Sequence, residues 1–175
     1  KALANILFGK VSPSAKLPVT FYEDTSLLPD FCDYSMKNRT YRYAENNILY
    51  PFGYGLTYSQ VECSDLTYSD KKVSLSVTNT GNSDTEDVVQ IYIKGYSENA
   101  VPNYSLCGFK RVSLKKGETQ KIELMLDESA FEVVDKNGIR KVEGNKFMLF
   151  AGTSQPDELS EKLTGTKCLS LEINI

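Results

Sequence analysis

The sequence predicts a mainly β chain: an antiparallel two-sheet sandwich over 61–175, with a short helix–strand piece and a long ring-rich connector ahead of it. Three observations carry this. Apolar residues recur at every second position from residue 61 onward. The runs they form are separated by turns rich in Asn, Gly and Lys. Upstream, 31–58 holds eight of the 19 aromatic residues with little periodicity.

Residues 1–9 read as the end of a helix, because Leu3, Ile6, Leu7 and Phe8 are apolar and Gly9 suits a left-handed C-terminal cap. So short a helix does not stand alone in water. Lys10–Lys16 form a turn around Ser12-Pro13-Ser14, and Leu17–Tyr22 reads as a strand that Pro18 assigns to an edge or a strand start. A helix, a turn and one strand cannot enclose a core. Residues 1–22 are therefore expected to pack on something outside the chain, and the chain, which opens at Lys1, to be a piece of a longer polypeptide.

Residues 23–60 form the connector. Its rings are Phe31, Tyr34, Tyr41, Tyr43, Tyr50, Phe52, Tyr54 and Tyr58, interrupted by Pro51, Gly53 and Gly55. A loop of this length inside one compact domain is uncommon, so it is expected to run across a domain interface. Arg39 and Arg42 sit among the rings, where a guanidinium can stack on a ring or fork onto a carboxylate.

From residue 61 the strands follow in order. Val73, Leu75 and Val77 alternate with Ser74, Ser76 and Thr78; Val89, Ile91 and Ile93 alternate with Gln90 and Tyr92. Ile122, Leu124 and Leu126 come next, then Phe147, Leu149 and Ala151, then Leu169, Leu171 and Ile173. Each run reads as a strand with one buried face. Asn137-Gly138 reads as a two-residue hairpin turn. Six to eight such strands fit a two-sheet sandwich, and some fifteen inward side chains, each worth roughly 1.5–3 kcal/mol on burial, make a core of their own. The immunoglobulin Cys–Trp–Cys pattern is missing, since the chain has no Trp, so a fibronectin type III-like sandwich is the better fit.

Composition narrows the chemistry. At 41% hydrophobic and 25% charged the chain is ordinary globular protein, and a net charge of −3 gives no drive toward nucleic acid or an anionic membrane. The lack of His removes Ser-His-Asp, Cys-His and His–metal arrangements together. Cys32, Cys63, Cys107 and Cys168 are too scattered for a zinc site and read as reduced, buried apolar residues, which leans toward a reducing, cytoplasmic home. Asn38 and Asn103 begin Asn-x-Ser/Thr triplets at a chance frequency and carry no weight for glycosylation.

The remaining candidates favour plain readings. Glu23, Asp24, Asp30 and Asp33 can in principle flank a sugar, but they read as a strand end and solvated turns; Asp127, Glu128 and Asp135 read as turn formers and caps. Ser12 and Lys16 lack any oxyanion arrangement nearby, and Gly53-Tyr54-Gly55 lacks the spacing and the Lys-Ser/Thr of a phosphate loop. No cofactor and no metal site is indicated. The tyrosines can stack on sugars or act as glue between domains, and Tyr beside Gly and Pro in a long connector favours glue.

The runs SAKLPVTFY (14–22), LPDFCDYSMKNRTYRY (28–43) and LYPFGYGLTYS (49–59) resemble glycoside hydrolase family 3, the β-glucosidase and β-xylosidase group. That family usually has Asn-Pro-Ser-Gly-Lys-Leu-Pro where this chain has Ser12-Pro13-Ser14-Ala15-Lys16-Leu17-Pro18, so Ala15 must tolerate the turn's backbone. VTNTG (77–81), DVVQIYI (87–93), LCGFKRVSLKKGE (106–118) and FMLFAGTSQPD (147–157) resemble the fibronectin type III-like domain that ends many such enzymes.

The resemblance implies a retaining glycosidase whose Asp nucleophile lies in a (β/α)8-type barrel and whose Glu acid/base typically lies in an α/β sandwich domain. Neither motif is in this chain. Residues 1–22 would be the end of the α/β domain, 23–60 an interdomain connector and 61–175 the fibronectin-like domain. The chain is then expected to be inactive alone and to serve as structural support. Its partners would be the catalytic domains of the same protein and, through them, a carbohydrate. Arg39, Tyr41, Arg42, Tyr43, Phe52 and Tyr54 are the expected interdomain clamp. Two alternatives stand beside this reading: a polysaccharide-binding module, and a loop at 97–104 that shapes a substrate site through Tyr96, Pro102 and Tyr104.

Overall fold

The computed structural model describes all 175 residues. The chain opens with helix α1 (Ala2–Leu7). The Gly9 N–H bonds to Ile6 O and the Lys10 N–H to Asn5 O, with Gly9 at φ +67, so the helix ends in the left-handed cap its sequence predicts. No residue of α1 is buried, and Leu3, Leu7 and Phe8 face solvent.

The expected strand at 17–22 is shorter than predicted. Only β1 (Phe21–Tyr22) pairs, antiparallel with β2 (Ile48–Tyr50). Pro18 has no N–H to donate, and the backbone ahead of β1 makes two backbone hydrogen bonds to the connector, Leu17 N–H to Tyr54 O and Gly53 N–H to Leu17 O. Between β1 and β2 the connector makes a long excursion, closed at its root by the Glu23 N–H on Asn47 O. It holds a single 3₁₀ turn (Thr25–Leu27) and a one-turn helix α2 (Thr40–Tyr43).

The sandwich follows. Strands β3 (Val61–Ser69), β4 (Lys72–Asn79), β5 (Thr85–Gly95), β6 (Ser105–Leu114) and β7 (Thr119–Met125) come first. The small hairpin of β8 (Glu132–Val134) and β9 (Arg140–Val142) leads to β10 (Lys146–Gly152), helix α3 (Glu158–Thr164) and β11 (Leu169–Asn174). One sheet runs β3-β4-β7 and the other β11-β10-β5-β6, both antiparallel. Between them lie 16 buried side chains, among them Val73, Leu75, Val77, Val89, Ile91, Ile122, Leu149 and Ala151, the inward positions the alternation predicts.

One turn differs from expectation. In the β8–β9 hairpin the Asp135 N–H bonds to Ile139 O, which leaves three residues in the loop, with Gly138 left-handed at φ +79. That is a type I turn closed by a bulge rather than a two-residue turn. The two-residue turn lies instead between β3 and β4, where Asp70 and Lys71 both have positive φ. No Gly marks it. The Lys71 carbonyl accepts from the Leu126 N–H, and its ammonium pairs with Glu128.

Strand β5 also departs from a one-faced pattern. Val89, Ile91 and Ile93 face the core as predicted, but Gln90 and Tyr92 on the opposite face are buried too. The connector covers them.

Candidate interdomain clamp

The outer face of β5 is where the connector meets the sandwich. Tyr41, in α2, stacks on Phe52 with ring centroids 4.2 Å apart and planes 12° from parallel. Tyr92 and Tyr104 meet edge to face at 5.5 Å, Tyr41 contacts both, and Phe150 of β10 closes the far side at 6.2 Å from Tyr104. Five rings from the connector, β5, the loop before β6 and β10 thus form one layer, with the edge geometry that aromatic quadrupoles favour. The Tyr41 hydroxyl accepts the backbone N–H of Leu106 at 2.9 Å, joining α2 to β6.

Polar groups inside this layer are paired. Tyr92 donates to Gln90 Oε1 at 2.6 Å, and Gln90 Nε2 donates to the carbonyls of Gly53 and Thr153, each at 3.0 Å. Gly53 sits at φ +77, and a Cβ there would lie 2.2 Å from Gln90 Oε1. Glycine is required on both counts. Burial pushes the Tyr92 and Tyr104 phenols upward, so both stay protonated donors. Asn103 donates its amide to Tyr41 O and Ala44 O, both at 2.9 Å, which ends α2 against the sandwich and leaves this nitrogen no room for a glycan.

A second tie runs from 10–17. Lys16 Nζ lies 2.7 Å from Asp87 Oδ1, with side-chain exposures of 11% and 3%. Beside it Ser12, Thr57 and Thr85 join hydroxyls in a triangle at 2.9–3.2 Å, and Ser12 also accepts the Tyr58 N–H. The Ser-Pro-Ser-Ala-Lys run is therefore a latch onto the start of β5. Ala15 has no positive φ, so the turn accepts it without strain.

Of the six predicted clamp residues, Tyr41 and Phe52 join the ring layer. Tyr54, half-buried, stacks instead on Tyr50 at 5.6 Å. Tyr43 is half-buried beside Arg42, Val101, Phe131 and Phe147 around a cavity of 260 Å³. Arg42 is exposed and ties to the sandwich only through its carbonyl, which accepts the Asn103 N–H. Arg39 stacks on no ring; it donates to the carbonyls of Asp30, Asp33 and Ser35 at 2.6–3.1 Å.

Sequence reasoning missed Lys16, Asp87, Gln90, Tyr92 and Asn103. A signal existed for Gln90 and Tyr92, polar-tipped residues inside the apolar run Val-Val-Gln-Ile-Tyr-Ile. The 97–104 loop turns Asn103 and Tyr104 inward, and its tip is held by Asn99 on both Glu143 oxygens at 2.9 Å.

The carboxylates are engaged locally. The N–H groups of Ser26 and Ser35 hold Asp24 and Asp33 below the ordinary carboxylate range. The Ser129 side chain and then its N–H do the same for Asp127, and the N–H groups of Ile139 and Asn137 for Asp135. None of these four is a proton donor at neutral pH. Burial pushes the Cys63 and Cys107 thiols up to about 12 and Cys168 up to about 11, so they are inert. Cys32, expected to be buried, is exposed, because the side chains around it find no apolar cover within this chain, and Cys63, Cys107 and Cys168 are half-buried rather than fully so.

The fold and the clamp define a fibronectin type III-like sandwich with an attached helix–strand segment. Comparison with known proteins agrees. Residues 1–58 match the glycosyl hydrolase family 3 C-terminal domain and 87–155 the fibronectin type III-like domain. The chain is 38% identical over 172 residues to a xylan 1,4-beta-xylosidase of Xylanibacter ruminicola, covering 94% of this chain and 20% of that protein. It is 33% identical to a periplasmic beta-glucosidase of Salmonella typhimurium, covering 86% of this chain and 22% of that one. The solved β-glucosidase of Erythrobacter marinus superposes with a TM-score of 0.77 at 31% identity, over 99% of this chain and 23% of its own. That of Bifidobacterium adolescentis gives 0.79 at 29% identity, over 98% and 27%.

The chain belongs to glycoside hydrolase family 3, in the region of that family's C-terminal and fibronectin type III-like domains. It spans about a fifth of the curated relatives it matches.

Proposed function

We propose that this chain is the structural, non-catalytic portion of a β-glucosidase-like enzyme that hydrolyses terminal β-D-glycosidic bonds with retention. In this reading 1–22 ends an α/β domain, 23–60 is the connector, and 61–175 is a buttress to which the connector is fastened. The observation that carries it is the outer face of β5, where Gln90 and Tyr92 are buried by the connector rather than by a second sheet, while Asp87 near the start of the strand is held by Lys16 of the latch.

A second feature supports the role. Ile6, Val11, Pro13, Leu17, Tyr50, Tyr54 and Leu56 line an open apolar trough of 700 Å³, with the Arg111–Glu86 pair on its rim. Leu3, Leu7 and Phe8 are exposed as well. Apolar surface of this extent is the mark of an interface, and the α/β domain of the same polypeptide fits it.

The test is made in the complete enzyme. Tyr41→Ala and Tyr54→Ala each lower the melting temperature by several degrees, while the ratio of kcat/KM on an aryl glucoside to that on an aryl xyloside stays constant. A shifted ratio with unchanged melting temperature would refute the structural role.

A further inference from the structure

Within the β1–β2 excursion one stretch has no partner in this chain. Leu27, Leu28, Phe31, Tyr34 and Met36 are exposed, Phe31 and Tyr34 at 92% and 90%. The stretch is nonetheless shaped. Arg39, half-buried, holds three of its carbonyls, and Asp30 and Asp33 each accept a backbone N–H two residues on.

We propose that 27–36 is a docking arm that seats Phe31 and Tyr34 on the catalytic portion of the same polypeptide, a contact separate from the trough. The inference rests on the reading of the chain as part of a family 3 enzyme.

Three observations choose this occupant. The relatives are four to five times longer than the stretch they share with this chain, so a complete polypeptide of their kind has ample surface to cover the arm. The arm leaves from β1 and β2, and Tyr50 of β2 also lines the trough, so one partner can cover both surfaces. The arm's shape is fixed before a partner arrives, which lowers the ordering cost of docking two rings. Asp30 and Asp33 adjoin Phe31 and Tyr34 in the chain, so the surface that fits is an apolar hollow with a basic rim.

Cys32, between the two rings and exposed, is a built-in probe. Its alkylation by iodoacetamide is followed by peptide mass spectrometry in the complete polypeptide and in the 175-residue chain, whose sandwich has its own core. The expected result is labelling about tenfold or more slower in the complete polypeptide. The double variant F31S/Y34S restores the fast rate and lowers the melting temperature of the complete polypeptide alone, leaving that of the short chain unchanged.

Equal rates in both proteins overturn the inference. So does protection that appears only on adding cellobiose, which would make the arm a sugar platform, or only at high protein concentration, which would make it a contact between copies. Failure of the underlying reading looks different: the complete polypeptide would then hydrolyse no glycoside at all.

Discussion

Gly53 is the single residue on which the clamp turns most sharply. It combines a left-handed backbone with contact to Gln90, whereas Gly138 has the same backbone and open space around it. Gly53→Ala is expected to cost more than the roughly 1–3 kcal/mol of a strained backbone, and Gly138→Ala no more than that, by urea denaturation of the chain. Lys16→Met leaves Asp87 buried without its partner and is expected to cost about 3–5 kcal/mol. Neither Lys16 nor Asp87 was legible in the sequence, because a buried ion pair joins residues far apart along the chain and leaves no local period. The ring density was legible. It marked the stretch that meets β5 but could not say which rings turn inward, and Arg39 shows why: three carbonyls within nine residues outcompete any ring for its donors.

At the level of elements, the strands were the most readable part. A period of two needs only one buried face to be visible, and the 16-residue core follows it closely. Where a strand is buried on both faces, as β5 is, the second covering layer comes from elsewhere in the chain and the period alone cannot announce it. The turns were harder. Asp70-Lys71 carries no Gly, yet it adopts two positive φ values because Lys71 is held at both its carbonyl and its ammonium. Asn103 ties the loop before β6 to the connector, so Asn103→Ala is expected to destabilise the chain by about 1–3 kcal/mol through two orphaned carbonyls, read as a shift in the urea midpoint.

For the molecule as a whole, stability should be bounded on both sides of pH. Asp24, Asp33, Asp127, Asp135 and Glu143 are all held below their ordinary range. The stability they contribute is present above the unfolded values near 4 and is lost as pH falls through the folded ones. The buried thiols act oppositely. Their unfolded value is 9.0, so above it the unfolded state sheds protons first, and stability falls as pH rises from 9 toward 11–12. A urea midpoint that is level from pH 5 to 8 and declines beyond each end is the expected profile; a midpoint still rising at pH 10 would contradict it.

Connector and sandwich should open as one cooperative body. Native-state hydrogen exchange reads this directly through two connector-dependent amides, Gly53 on Leu17 O and Leu106 on the Tyr41 hydroxyl. Both are expected to exchange with an opening free energy within about 1 kcal/mol of the β5 core amides. Exchange of either one a thousandfold faster than β5 would mean that the connector detaches by itself and is no clamp.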